Sequence, residues 1–227
     1  MLASGRDADI FEYGPKLVLR RSRNGRSLVS EARIMEYARA NGYPVPAVEE
    51  VSDDGSDMVI ERIDGADMLG SLSRRPWTIR RQGKVLADLH RRLHEIEAPD
   101  WLPAAAAGAG DRLLHLDLHP LNVILGPKGP VVIDWTNARR GDPSVDVALT
   151  WVLIAAGEAP SNWFVNAISG RARSILIANF LAGFDREEVT RHLSDVVKWK
   201  VLDPHMSDKE QAGMWKVVDN AKRASTA

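Results

Sequence analysis

The chain has no cysteine among its 227 residues. That excludes a disulfide framework, a thiolate zinc site and a cysteine nucleophile, and it makes the chain indifferent to the redox state of its compartment. An excess of charge of either sign is also missing, since 30 Lys plus Arg stand against 31 Asp plus Glu, a formal net charge of -1. A nucleic-acid binder normally carries a clearly basic domain or stripe. The local clusters Arg20, Arg21, Arg23, Arg26 and Arg74, Arg75, Arg80, Arg81 are not interleaved with aromatics. They read as solvated faces, and no nucleic-acid partner is expected. Long apolar runs are absent too: Val147 to Ala156, the longest nearly apolar stretch, is about half of the roughly 20 residues that span a bilayer. It predicts a buried helix and no membrane span. The N-terminus, MLASGRDADIF, is interrupted by Arg6, Asp7 and Asp9 before a signal-peptide core can develop, so a cytoplasmic location is expected. No repeat of roughly 20–50 residues occurs, which excludes solenoids and propellers.

What is present is an ordinary globular composition, 44% apolar and 27% charged, with length enough for one large domain or two lobes. The first sixty or so residues read as β-β-α-β-β. Asp9–Tyr13 and Lys16–Arg20 flank the turn dipeptide Gly14-Pro15, and Val45–Val51 and Met58–Ile63 flank a polar turn. Between them Leu28, Ala32, Met35 and Ala38 recur at helical spacing, with Ser27 as the expected N-cap and Gly42, Pro44 and Pro46 as the stop. After Ile63 the period changes from 2 to 3.6, which predicts lobes of residues 1–63 and 64–227. Val85, Leu86, Leu89, Leu93 and Ile96 form one stripe of a helix from about Thr78, and Leu102 to Gly110 reads as a low-complexity loop. Short strands at Leu113–Leu116, Val123–Leu125 and Val131–Ile133 follow, and from Ser144 the chain is again helical.

Polar residues concentrate in HLDLHPLNVILGPKGPVVIDW, His115 to Trp135. Asp117 sits in a short loop closed by Pro120, Asn122 opens an apolar strand and Asp134 ends the next. A hairpin of this kind would bring the three to one end. Two carboxylates and a carboxamide make an all-oxygen set that suits a hard cation such as magnesium.

The spacing His115-x-Asp117-x-x-x-x-Asn122, followed by Ile133-Asp134, resembles the catalytic and metal-binding motifs of the aminoglycoside phosphotransferase and choline kinase family. The resemblance implies an α+β, two-lobed protein-kinase-like fold, with a small antiparallel-sheet lobe carrying one helix and a larger, mainly helical lobe. In the kinase template the first Asp accepts the proton of the attacking hydroxyl, and the Asn and second Asp hold the metal. By resemblance Asp117 is the base, Asn122 and Asp134 hold Mg2+, and His115 braces the loop. Here Leu116 stands where protein kinases have Arg, and Asp134-Trp135-Thr136 where they have Asp-Phe-Gly, which favours a small-molecule kinase. The resemblance also places Gly5 and Arg6 in the loop over the nucleotide phosphates, and Arg20 where the family usually has its phosphate-contacting lysine. It makes Glu31 the ion-pair partner of Arg20, and puts Glu61 and Ile63 in the hinge that grips the base. Asp142 and Asp146 match the motif that anchors the catalytic loop. The implied ligands are ATP or GTP with Mg2+, and a small hydroxylated acceptor.

Two other readings compete. His115-x-Asp117-x-His119 could supply ligands to a metal-dependent hydrolase, although Pro120 ends that strand at once. His90 and His94 have i, i+4 spacing but flank Arg91-Arg92, so they read as helix-surface residues. A degenerate kinase, binding nucleotide or a partner without transfer, is suggested by Arg20 in place of lysine and opposed by the intact Asp117, Asn122 and Asp134. The acceptor is not legible: acidic residues between Asp185 and Glu210 are nearly cancelled by Arg186, Arg191, Lys198, Lys200 and Lys209. Trp151, Trp163, Trp199 and Trp215 could line a pocket, but packing is the commoner use of Trp. Oligomeric state stays open.

Overall fold

Alternating side chains around Gly14-Pro15 form an antiparallel hairpin. In the computed structural model, which describes residues 1–4, 8–157, 170–203 and 206–225, a short β1 (Ala3–Ser4) pairs with β2 (Ala8–Glu12), and β2 with β3 (Leu17–Ser22). After α1 (Val29–Ala40) come β4 (Val48–Val51) and β5 (Asp57–Glu61). They complete a five-stranded sheet of order β1-β2-β3-β5-β4. β4 starts at Val48, three residues later than the apolar run suggests; Pro44 and Pro46 cannot donate to a ladder. Ser27 is not the N-cap of α1. Leu28 is, and the Ser27 hydroxyl lies 3.4 Å from the Val29 N–H it could accept from. α1 buries Ala32, Ile34, Met35 and Ala38, along with one charged residue, Glu31.

β6 (Ala66–Asp67) leads into α2 (Met68–Arg74), a helix that the weak periodicity there does not reveal. The Asp67 carboxylate starts it by accepting from Gly70 N at 2.7 Å. A 3₁₀ turn at Pro76–Thr78 then opens α3 (Ile79–His94). β7 (Arg112–Leu114) precedes the loop that carries Asp117, a second 3₁₀ turn (Pro120–Asn122) closes it, and β8 (Val123–Gly126) and β9 (Gly129–Val132) form the next hairpin. β10 (Arg139–Gly141) returns to pair with β7, while β6 adds to β8. Four helices complete the described chain: α4 (Pro143–Ala156), α5 (Gly170–Leu181), α6 (Arg186–Lys200) and α7 (Asp208–Ser225).

α4 is buried almost all round, from Val145 to Val152, because α5, α6 and α7 pack about it. α3 lies against α5, and Gly83 permits the approach: a Cβ there would sit 2.8 Å from both Asn179 Cβ and the Leu176 carbonyl. No helix among the described residues is long and apolar enough to cross a membrane.

Candidate active site

Two short strands deliver the polar residues. β7 ends at Leu114 because the next turn is left-handed at Leu116, φ 56°, a conformation costly for a branched side chain. A buried carboxylate holds it there. Asp146, in the first turn of α4 and fully buried, accepts from Leu116 N at 2.8 Å, His115 N at 3.1 Å and His94 Nε2 at 3.0 Å. Burial works against its charge, but these donors and the surrounding imidazoles hold its pKa far below the ordinary range. Asp142 caps the same helix, accepting from Ser144 N, and its other oxygen lies 3.5 Å from His192.

Beyond Leu116, the Asn122 amide donates to the Asp117 carbonyl at 2.9 Å and to its carboxylate at 3.2 Å. Asn122 is thereby oriented by the residue it shares the loop with, leaving its Oδ1 as the atom able to take a cation. Asp117 keeps 18% of its side chain exposed, and His119 stands 3.7 Å from its other oxygen. Ile133 N donates to the Asn122 carbonyl, so the end of β9 is tied to the same loop through the backbone. Next comes Asp134, also left-handed at φ 65°.

Asp134, Arg20, Glu31 and Thr136 form one network. Arg20 reaches Asp134 at 3.0 Å, Glu31 at 3.2 Å and the Thr136 hydroxyl at 3.3 Å. Glu31 also accepts from Trp135 N and from Thr136 Oγ1. Burial, the largest influence on Glu31, pushes its pKa up against the opposing charge of Arg20. Asp134 behaves oppositely. Burial is again the largest single influence and pushes its pKa up, but Arg20, by charge and hydrogen bond, together with the lesser contributions of His115 and Thr136, brings it below the ordinary value. An ionised, partly exposed Asp134, tied to the Asn122 loop through the Ile133 N–H, fits a hard, oxygen-seeking divalent cation.

His115 is fully buried. Its Nε2 donates to the Ile133 carbonyl at 3.2 Å, its ring packs edge-on against Trp135 at 4.8 Å, and burial lowers its pKa. It can brace the two loops but cannot reach a ligand. The three-ligand site that His115, Asp117 and His119 would form is not built, and no cluster of three or more His, Asp or Glu able to hold a metal occurs among the described residues. Glu61 lies at the end of β5, where its N–H donates to the Ala47 carbonyl and its carboxylate accepts from Ala47 N. Ile63 follows it, close to Gly126 on the β8–β9 hairpin. Gly5 and Arg6 lie outside the described residues, as does Trp163. Trp151 is buried with the Arg186 guanidinium stacked 3.9 Å above it, so it serves packing.

The surface placement of His90 and His94 is wrong. His90 is fully buried and His94 nearly so, with Nδ1 of His90 donating to the Leu86 carbonyl and Nε2 set 3.0 Å from Thr150 Oγ1. His90 falls four residues after Leu86 and three before Leu93, on the apolar stripe, and that periodicity was the available signal. His94 as a partner of Asp146, and Thr136 as a bridge between Glu31, Arg20 and Asp134, carry no motif of their own.

The model of the phosphotransferase enzyme family matches residues 2–109 and again 92–192, most of the chain. The chain belongs to that family. No curated protein matches it. Among solved structures, the phosphotransferase resembles a choline/ethanolamine kinase family protein from Mesorhizobium loti at 17% identity, covering 97% of this chain and 85% of that one, TM-score 0.62. An aminoglycoside-3'-phosphotransferase of type VIII is similar at 19% identity over 96% and 90%, TM-score 0.59. The amicoumacin kinase hAmiN, in complex with AMP-PNP, Ca2+ and Ami, is similar at 11% identity over 99% and 88%, TM-score 0.56. The fold is thus the two-lobed, protein-kinase-like α+β architecture, and the enzyme class is that of the small-molecule kinases.

Proposed function

We propose that this phosphotransferase moves the γ-phosphoryl group of ATP or GTP to a hydroxyl of a small molecule of aminoglycoside, sugar or amino-alcohol type. Residues 1–63 form the nucleotide lobe and residues 64–227 carry the catalytic loops and acceptor site. The observation that carries the reading is the pairing of Asp117 with Asn122 in a loop clamped by Asp146, next to an Asp134 kept ionised by Arg20. Asp117 takes the proton of the acceptor hydroxyl as that oxygen bonds to the γ-phosphorus and the bond to the bridging oxygen of the leaving diphosphate breaks. Asn122 and Asp134 would hold Mg2+, which neutralises phosphate charge when bound. Arg20, fixed by Glu31, contributes a fork of donors at the phosphates, and Glu61 and Ile63 line the approach of the base. The complexes of hAmiN with AMP-PNP and Ca2+ support nucleotide and divalent-metal use.

The test is Asp117→Asn. Turnover of a competent hydroxylated acceptor is expected to fall by roughly 10²–10⁴-fold, the usual worth of a positioned base, while Mg2+-dependent nucleotide binding by calorimetry is retained. Undiminished turnover would remove Asp117 from the base role.

A further inference from the structure

Away from the catalytic loops, α2, the start of α3 and the tip of the β8–β9 hairpin line a half-open cavity of about 420 Å³. It shares no lining residue with the Asp117, Asn122 and Asp134 set. The hairpin register explains the separation: Val123 pairs with Val132 at the catalytic end and Gly126 with Gly129 at the cavity end, about 10 Å along the strand.

Its lining is charged in one sense only. Arg74, Arg75 and Arg81 face it together, and no acidic residue lines it. Among the described residues none of the three has an ion-pair partner, whereas Arg21, Arg23, Arg62 and Arg91 each hold a carboxylate. A second observation is independent of charge. Gln82 also lines the cavity, is only 8% exposed, and its Oε1 is buried with no hydrogen-bond partner among the described residues. A buried acceptor left in that state costs about 1–3 kcal/mol, which a donor on a ligand would recover. Val85, Leu125 and Pro130 supply an apolar wall, and the volume falls within the range of small-ligand sites.

We propose that this cavity binds a phosphate monoester of a hydroxylated small molecule. The phosphate takes the three guanidinium forks, whose planar donor pairs match phosphoryl oxygens and whose summed charge suits a dianion better than a carboxylate. A turn of the Gln82 amide, whose Oε1 is covered in this structure, lets a ligand hydroxyl donate to it, and the carbon skeleton lies on the apolar wall. The inference rests on the cavity and not on the transfer reading, so either can fail alone.

Calorimetry on the nucleotide-free full chain tests it, with glucose 6-phosphate, inorganic phosphate, gluconate and glucose as probes. Glucose 6-phosphate is expected to bind with Kd of about 1 mM or tighter, inorganic phosphate more weakly, and gluconate and glucose not measurably. Arg74→Ala and Arg81→Ala, both at exposed side chains, should each weaken the phosphate ester at least about tenfold by removing a charge-assisted contact. Asp134→Ala should leave its binding unchanged. Gln82→Met should weaken the ester but not inorganic phosphate, a split that general damage to the fold would not produce. Binding that survives both arginine substitutions would overturn the proposal. Tighter binding on Asp134→Ala, which takes a carboxylate away from Arg20, would put the anion in the catalytic cleft and do the same. So would gluconate binding as well as the ester, or no heat from the ester up to about 10 mM, roughly ten times the expected Kd.

Discussion

Arg20 holds three oxygen-bearing side chains at once, and one of them, Glu31, is only 5% exposed. A buried carboxylate without its cation is costly, so Arg20→Met is expected to destabilise the protein by roughly 3–5 kcal/mol in urea unfolding. The double variant with Glu31→Gln should recover a substantial part of that loss, since no uncompensated charge remains. A lysine at this position would offer one point of charge where the guanidinium offers a fork. The Arg20–Glu31 pair was implied by the family resemblance, which sets a cation on the third strand opposite a carboxylate on the following helix. Its third and fourth members were not: Thr136 is a common residue with no periodicity to mark it, and that Asp134 also touches Arg20 depends on how two distant segments meet.

At the scale of elements, packing overrules propensity at Gly83. Alanine there would raise intrinsic helix stability by about 1 kcal/mol, yet its Cβ would press on Asn179 Cβ and the backbone of Leu176 on α5. The steric term wins, and Gly83→Ala is expected to lower stability by roughly 1–3 kcal/mol in thermal or urea unfolding. The strands and long helices of the chain follow its hydrophobic periods closely. Boundaries shift where local chemistry intervenes, as at Pro46 before β4, at left-handed Leu116 after β7, and at Leu28, which displaces Ser27 as the start of α1. α2 escapes a pattern search because seven residues give too few turns for a period, and its start is written in one side chain, Asp67.

For the molecule as a whole, acid sensitivity follows from its buried imidazoles. Desolvation brings His90 from the ordinary 6.5 to about 4. Between those values the unfolded chain binds a proton that the folded chain refuses. The contribution of His90 is therefore complete above about pH 6.5 and fades as pH falls, reaching a loss of about 3 kcal/mol near pH 4. His115 shifts in the same direction and steepens the decline. Urea unfolding at pH 7, 5 and 4 should show it, with His90→Gln flattening the profile. The Thr150 hydroxyl donates to the Leu118 carbonyl at 2.9 Å and lies 3.0 Å from His90 Nε2, so it links the buried imidazole to the loop after His115. Nothing in the sequence announces such a network; a histidine on an apolar stripe says that it is buried, not what it touches.

The Asp146 carboxylate also fixes how the His115–Asn122 loop exchanges with solvent. The His115 and Leu116 amides donate to a carboxylate with no exposed surface, so fraying of the loop alone cannot present them to deuterium. They are expected to exchange only through global opening, with apparent free energies equal to that of urea unfolding. Amide exchange followed by mass spectrometry or NMR reads this directly. Faster exchange at these two positions than in the core of α4 would show that the loop opens by itself.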